Sequence, residues 1–216
     1  KVFNSRNVDE LIFIDIFATK QKRKINLQFV KGIIKQCYMP VGIGGSIDSL
    51  DDIRSLLNCG ADKVIIKQRA IDNPDFIKEA ANKFGSQCIS IAVDVIKKDF
   101  SYFIHHEGDK EIPLLDFIKK MENKLAGELI VNSVDNDGMM QGFDTELYSF
   151  VHNQSSLPVV AVGGGGKPEH YQELFSKTEI EAVGSSSIFA YTQYTPNDIK
   201  RALRDIDKPV RYFEPK

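Results

Sequence analysis

Apolar runs approaching the roughly 20 residues that span a bilayer are missing from this 216-residue chain, so a membrane is not expected among its partners. An excess of one charge is missing too: 28 Lys and Arg against 30 Asp and Glu leave a formal net charge of −2. Phosphate backbones recruit strongly basic faces, and nucleic acid is therefore not expected either. Cysteine is scarce. Cys37, Cys59 and Cys88 are odd in number, far apart and without a CxxC spacing, which argues against a disulfide frame or a zinc site. They read as buried thiols in a reducing cytoplasm. Histidine is hardly commoner, and no His/Asp/Glu spacing makes a metal site; neither a metal nor another cofactor is expected. No cysteine has an evident histidine partner for nucleophilic chemistry. His105, His106 and His152 read as surface side chains; His170, at a helix start after the glycine run, reads as a surface residue or as one that approaches an anion there. What is present, 42% hydrophobic and 27% charged residues, suits one large domain or two small ones.

Short, almost wholly apolar runs recur at 11–16, 40–44, 63–67, 88–95, 127–134, 158–163 and 182–187. Amphipathic stretches lie between them at 25–35, 50–59, 73–84, 114–123, 145–153 and 167–176. Strands of that kind suit a parallel sheet buried on both faces. Seven β–α units without a domain-sized linker predict a single (β/α)8 TIM barrel domain over 1–216, α/β in class, with its first β–α unit largely absent. An open doubly wound sheet is the structural alternative. The segment 97–111, KKDFSYFIHHEGDKE, predicts a β-hairpin excursion. The opening KVFNSRNVDELIFIDI reads as a helix tail running straight into a strand, and the expectation is that an N-terminal segment precedes Lys1.

The chain also echoes itself. Glu10-Leu11-Ile12 matches Glu128-Leu129-Ile130, Pro40 matches Pro158, and Gly44-Gly45 matches Gly163-Gly164, at offsets of 118 to 119 residues. A series at near-constant offset predicts two related half-barrels.

In such a barrel the strand C-termini form the active face, and glycine turns there hold phosphates. LPVVAVGGGGKPEH places Gly163 to Gly166 at such a turn, and Ser185, Ser186 and Ser187 end the next strand. The first half repeats the theme with Gly44, Gly45 and Ser46, followed at the next strand end by Lys67, Gln68 and Arg69. Two such turns imply an elongated ligand with a phosphate at each end; each turn alone is equally explained by tight chain reversal. Carboxylates for proton transfer stand at strand ends at Asp15, Asp94, Asp135 and Asp137. Asp94 closes an otherwise apolar strand, and Asn132 and Ser133 offer neutral hydrogen bonds. Glu10, Lys63 and Glu128 stand instead at strand beginnings. As isolated residues they are surface charges; as a ring on the barrel floor they need a reason.

Several segments carry a resemblance that covers the chain in order. They are DELIFIDIFATKQKRKINLQFV, VGIGGSIDSLDDIRSLLNCGADKVIIKQRAIDNP, FGSQCISIAVDV, AGELIVNSVDNDGMMQGFDTELYSFV and LPVVAVGGGGKPEHYQELF. Together they resemble the cyclase-subunit family of imidazole glycerol phosphate synthase, and D-x-D-G-x-x-x-G-[FY]-D at Asp135 to Asp144 is the most specific of them. The resemblance implies a barrel that receives ammonia from a glutaminase partner at its floor. The ammonia then reaches a phosphorylated ligand at the mouth, where acid–base chemistry closes and cleaves it. On that resemblance Asp94 is a catalytic carboxylate, Glu10, Lys63 and Glu128 belong to an ammonia gate, and Asp62 lies at the partner interface. Asp137, Gly138, Gly164, Ser186 and Ser187 belong to the second-half phosphate site.

The departures are equally specific. A second catalytic aspartate of the family belongs to a strand before this sequence begins. Ser46 replaces a glycine, Lys67-Gln68 replaces Asn-Thr, Asn132 replaces threonine, and NDGMMQG replaces RDGTxxG. These differences resemble a paralogous branch that supplies ammonia for amidation of a surface-polysaccharide sugar. Its substrate is a nucleotide-linked or free sugar, and its partners are a glutaminase and a sugar amidotransferase. The histidine-pathway cyclase itself, a non-catalytic phosphometabolite-binding barrel and a bisphosphate isomerase are the alternatives, the last having no need of the floor charges.

Overall fold

The computed structural model describes residues 4–108 and 110–212. Strands and helices alternate along the chain: β1 (Leu11–Ile14), α1 (Leu27–Ile34), β2 (Val41–Gly44), α2 (Leu50–Asn58), β3 (Lys63–Ile66), α3 (Gln68–Asp72) and α4 (Asp75–Phe84). There follow β4 (Ile89–Lys98), β5 (Ser101–Ile104), α5 (Leu114–Asn123), β6 (Glu128–Ser133), α6 (Thr145–Gln154) and β7 (Val159–Val162). Last come α7 (Pro168–Lys177), β8 (Ala182–Gly184), α8 (Ser187–Tyr191) and α9 (Pro196–Arg204). The strand order is β1-β2-β3-β4-β6-β7-β8, with β5 joined antiparallel to β4 alone. Parallel strands in sequential order, each returned by helix, are the topology of the (β/α)8 class.

The chain divides into two compact units. Of the described residues, those up to Ala92 and Asn123–Glu128 form one; those of Val93–Glu122 and from Leu129 onward form the other. In the first, β2 pairs with β3 in the register Gly42↔Lys63, Ile43↔Val64 and Gly44↔Ile65. Ile43 and Val64 are wholly buried, each worth roughly 1.5–3 kcal/mol of apolar transfer. Helix α2 begins in a capping box, Ser49 with Asp52, and buries Ile53 and Leu56, the i, i+3 pair of an amphipathic stripe. In the second unit α5 buries Leu114, Phe117, Ile118 and Met121, the i, i+3, i+4, i+7 pattern. There α9 packs on α7, and Gln172 Nε2 donates to the Ala202 carbonyl at 2.8 Å.

The predicted hairpin is present: Val95↔Ile104 and Lys97↔Tyr102 pair across β4 and β5. Other expectations are revised. The first strand stops at Ile14, because the Asp15 carboxylate turns to accept from the Phe17 and Ala18 amides. Arg23 clamps the same carboxylate at 2.6 Å, and that hydrogen bond, together with the amides, outweighs desolvation and holds it below the usual aspartate range. Asp15 is thus a turn residue. The last strand stops at Gly184, and Ser187 opens α8. Helices α3 and α8 have five residues each, too few to display a 3.6-residue period. All three cysteines are half-buried, not buried.

The internal echo becomes sharper on the backbone. Strands β2 and β7 correspond at an offset of 118. Each is followed by two residues of positive φ, Gly45 (131°) and Ser46 (47°) in one, Gly163 (98°) and Gly164 (111°) in the other. Gly45 therefore answers to Gly163, a one-residue correction to the match read from the sequence. Beyond α7, which is one residue longer than α2, the offset is 119, and α3 answers to α8.

Candidate functional site

In the second unit, three connections converge on a solvent-open cleft of about 330 Å³. The turn after β6 supplies Asp137 and Gly138, the glycine turn after β7 supplies Gly163 to Gly165, and the segment after β8 supplies Ser185 to Ser187. Glycine is demanded here by contact. A Cβ on Gly163 would lie 2.8 Å from the Ser133 carbonyl oxygen and 2.9 Å from Asn132 Oδ1, and one on Gly164 would enter the Gly142 carbonyl. Gly165 and Gly166 are similarly closed off, by the Tyr171 hydroxyl and by Met140. Gly163, Gly164 and Gly166 are thus packed against backbone and Gly165 against the Tyr171 and Phe143 side chains, leaving small walls around the cleft. The α7 and α8 N-caps, Lys167 and Ser186, make no side-chain cap hydrogen bond. His170 is half-buried rather than a surface residue, and accepts from the Gly166 amide through Nδ1 at 3.2 Å. Burial, then the nearby Lys167 charge, lowers its pKa.

Two glycines of this cleft make a test. Gly164→Ala meets both a positive φ and a carbonyl, and is expected to cost about 3–5 kcal/mol. Gly138, at φ 75°, has nothing within 4 Å of a built Cβ, so Gly138→Ala is expected to cost only about 1 kcal/mol. Urea unfolding of both variants checks the difference.

Beside the cleft, Asp94 on β4 and Asn132 on β6 meet: Asn132 Nδ2 donates to Asp94 Oδ1 at 3.2 Å and reaches Asp137 Oδ2 at 3.5 Å. The Asn132 side-chain oxygen Oδ1 is buried against Gly163 and has no hydrogen-bond partner among the described residues. The amide is therefore oriented with its donors toward two carboxylates. Ser133, the other neutral candidate, points elsewhere and donates to Asn136 Oδ1 at 3.0 Å. Asp135 accepts from the Lys97 amide at 3.0 Å and braces the hairpin.

The corresponding turn of the first unit is electrostatically different. Gly44 and Gly45 are closed off by Ile65 and Asp15 respectively. Beyond Ser46 the amides of Asp48 and Ser49 donate to Asp52 Oδ2 at 3.1 and 3.0 Å. Lys24 Nζ lies 2.6 Å from that same oxygen and 3.1 Å from Asp48. Burial raises the Asp52 pKa, but Lys24 and the amides override it and the net shift is downward. The chain's own carboxylate thus occupies the α2 N-terminus. Gln68 Nε2 donates along α3 to Asp72 at 2.9 Å, and Lys67 is the α3 N-cap.

At the opposite strand ends of the first unit, the three charges read from the sequence come together. Lys63 Nζ lies 3.0 Å from Glu10 and 2.9 Å from Glu128. Ser90, 1% exposed, completes the group by donating to Glu128 Oε1 at 2.6 Å. Sequence reading missed Ser90, whose only mark is a hydroxyl inside an apolar strand. Burial lowers the Lys63 pKa, yet hydrogen bonds and charge from Glu128 and Glu10 raise it above 10.5 overall. A raised lysine pKa contributes stability that is whole below its unfolded value of about 10.4 and is lost as pH rises through the folded one. The stability difference between this chain and Lys63→Met is accordingly expected to shrink above about pH 10.5, in urea melts at graded pH. Asp62, beside Lys63, is exposed and accepts from the Val41 amide at 2.8 Å.

Among the described residues no group of three or more His, Cys, Asp or Glu could hold a metal ion, and no helix is long and apolar enough to cross a membrane. Residues 1–195 match the family model described as histidine biosynthesis protein. The chain belongs to that family. Among its relatives is imidazole glycerol phosphate synthase subunit HisF of Staphylococcus carnosus, 40% identical over 215 residues, 97% of this chain and 85% of the relative. Its Staphylococcus aureus counterpart is 39% identical over 214 residues, again 97% and 85%. A putative imidazole glycerol phosphate synthase subunit hisF2 of Vibrio vulnificus is 39% identical over 212 residues, 97% of this chain and 78% of that one. The resemblance to the cyclase subunit is thereby established across the chain. In this member of the histidine biosynthesis family, the DNDGMMQGFD segment supplies one wall of the glycine cleft through Asp137 and Gly138.

Proposed function

We propose that the chain is the ammonia-using subunit of a glutamine amidotransferase complex, one (β/α)8 domain made of two half-barrels. A glutaminase partner docks at the strand beginnings, near Asp62, and releases ammonia beside Glu10, Lys63 and Glu128. The ammonia is consumed at the strand ends, where the glycine cleft grips a phosphate through Gly163, Gly164, Ser186 and Ser187, and Asp94 moves protons. The ion cluster at the strand beginnings carries this reading: a partly buried Lys63 bridging two glutamates is costly to assemble away from water, and a binding module has no use for it. Titrating the chain with a glutaminase subunit tests the reading. Glutamine hydrolysis is expected to rise on mixing; absence of complex formation at micromolar concentration sinks it.

The first-unit turn favours a particular substrate class within that function. The Ser46 carbonyl accepts from Lys24 of the Lys24–Asp48–Asp52 cluster, and the amides at this helix start are already taken by Asp52, which makes the turn a poorer anion grip than the glycine cleft. This supports a substrate other than a symmetric bisphosphate, and with it the amidation of a nucleotide-linked or free surface-polysaccharide sugar, with a sugar amidotransferase as further partner. Ammonium-driven turnover of the histidine-pathway ribonucleotide by the full-length protein separates the two. Turnover supports the histidine-pathway cyclase, and silence with an intact complex supports the sugar branch.

A further inference from the structure

Tyr171 is a buried polar side chain with no part in the function above. It lies on α7, 1% exposed, and its hydroxyl is 2.7 Å from Ser185 Oγ. Phe143 packs edge-on against its ring at 5.1 Å. The same hydroxyl fills the space where a Gly165 side chain would stand. Tyr171 therefore touches two walls of the glycine cleft from behind, the turn after β7 and the segment after β8.

Proton placement follows from burial. Among the described residues Ser185 Oγ is the hydrogen-bond partner of this phenol. A buried phenol that accepted from Ser185 would leave its own O–H without an acceptor, at a cost of about 1–3 kcal/mol. The stable arrangement has Tyr171 donating and Ser185 accepting. Burial holds the phenol protonated, its pKa pushed up to about 12, so the donor persists at every physiological pH. Ser185 then has one hydrogen left over, and its residue lines the cleft.

We infer that Ser185 is an anion-binding residue of the second-unit cleft, and that Tyr171 is a positioning residue which makes the Ser185 hydroxyl a donor directed at a ligand oxygen. This rests on the reading of the cleft as a phosphate site. It adds a hydroxyl donor to the amide donors of the turns, and it selects an oxyanion over a ligand that can only donate.

The test uses inorganic phosphate as probe, titrated into the full chain by calorimetry and followed by phosphorus NMR. A hydrogen bond to a charged group is lost in Ser185→Ala, and binding is expected to weaken tenfold or more. Ser185→Thr, which keeps the hydroxyl, is expected to stay within threefold. Tyr171→Phe keeps the buried ring but frees Ser185 to turn inward, and a loss of about fivefold is expected. The double variant is expected to bind no more weakly than Ser185→Ala alone, because Tyr171 acts only through Ser185. A Ser185→Ala chain that binds as the parent does, or additive losses in the double variant, overturns the inference while leaving the phosphate reading intact. If the parent shows no phosphate binding that Gly138→Glu, a charge placed in the cleft wall, abolishes, both fall together.

Discussion

Asp94→Asn is expected to lower ammonium-driven turnover about 10³-fold with little change in substrate affinity. The substitution keeps shape. Asn132 Nδ2 donates to Asp94 Oδ1 at 3.2 Å, and an asparagine at position 94 can turn its own carbonyl oxygen to the same donor. Folding and the cleft are therefore preserved, and thermal unfolding is expected to move by no more than a few degrees. What disappears is the only property that the amide cannot copy, the capacity to take and return a proton. Positioned acid–base groups contribute about 10²–10⁴ in rate, which sets the expected magnitude. Asp94→Glu is the complementary variant. It restores proton transfer but displaces the carboxylate by one methylene, so an intermediate loss of about 10²-fold is expected. Steady-state kinetics with ammonium salt, which bypass the glutaminase, measure both. Asp94→Asn turnover within tenfold of the parent would remove Asp94 from the chemistry and leave Asp137, 3.5 Å from the same asparagine amide, as the carboxylate to pursue.

Asp94 stands out in the sequence as the one carboxylate of the apolar run SIAVDV, but it does not close the strand: β4 continues past it to Lys98 to pair with β5. The longer helices are legible by their period: Leu114, Phe117, Ile118 and Met121 carry it in the sequence and are the four residues that α5 buries. The limits of such reading are physical. Helices α3 and α8 have five residues each, so no period can be counted, and neither N-cap, Lys67 or Ser186, makes a side-chain capping bond that the sequence would announce. Four consecutive glycines signal a turn. That Gly164 is required by the Gly142 carbonyl and Gly166 by Met140 depends on a connection some 25 residues earlier, which no local pattern encodes. The same holds for charges. Asp48 and Asp52 share Lys24, which arrives from more than 20 residues away, and no local pattern announces that. Ser185 reads as one of three small hydroxyls, and only the buried Tyr171 behind it sets it apart.

Lys63→Ala is expected to uncouple the complex: glutamine hydrolysis continues while glutamine-driven product falls at least tenfold, and ammonium-driven turnover keeps most of its rate. The reason lies in what the lysine leaves behind. Its ammonium group holds Glu10 and Glu128 at 3.0 and 2.9 Å. Without it, two carboxylates face each other across a gap shaped for a small cation, and Ser90 satisfies only one oxygen of Glu128. Ammonia is a nucleophile only when unprotonated. Arriving between two uncompensated carboxylates it is stabilised as ammonium, the ion that best replaces the lysine head group, and it is retained where it cannot react. The loss of an opposite charge also costs stability, between the roughly 1 kcal/mol of an exposed pair and the roughly 3–5 kcal/mol of a buried one broken on one side. Lys63 and Glu128 side chains are 24% and 15% exposed, so about 2 kcal/mol is expected, a fall in Tm of roughly 4–8 °C for a chain of this length. Lys63→Arg separates the two effects. It keeps the positive charge and the fold but projects a wider planar group between the glutamates, so stability is expected to stay near that of the parent while glutamine-driven product still falls. If Lys63→Ala leaves product per glutamine hydrolysed unchanged, the cluster is a structural clasp and ammonia enters by another route.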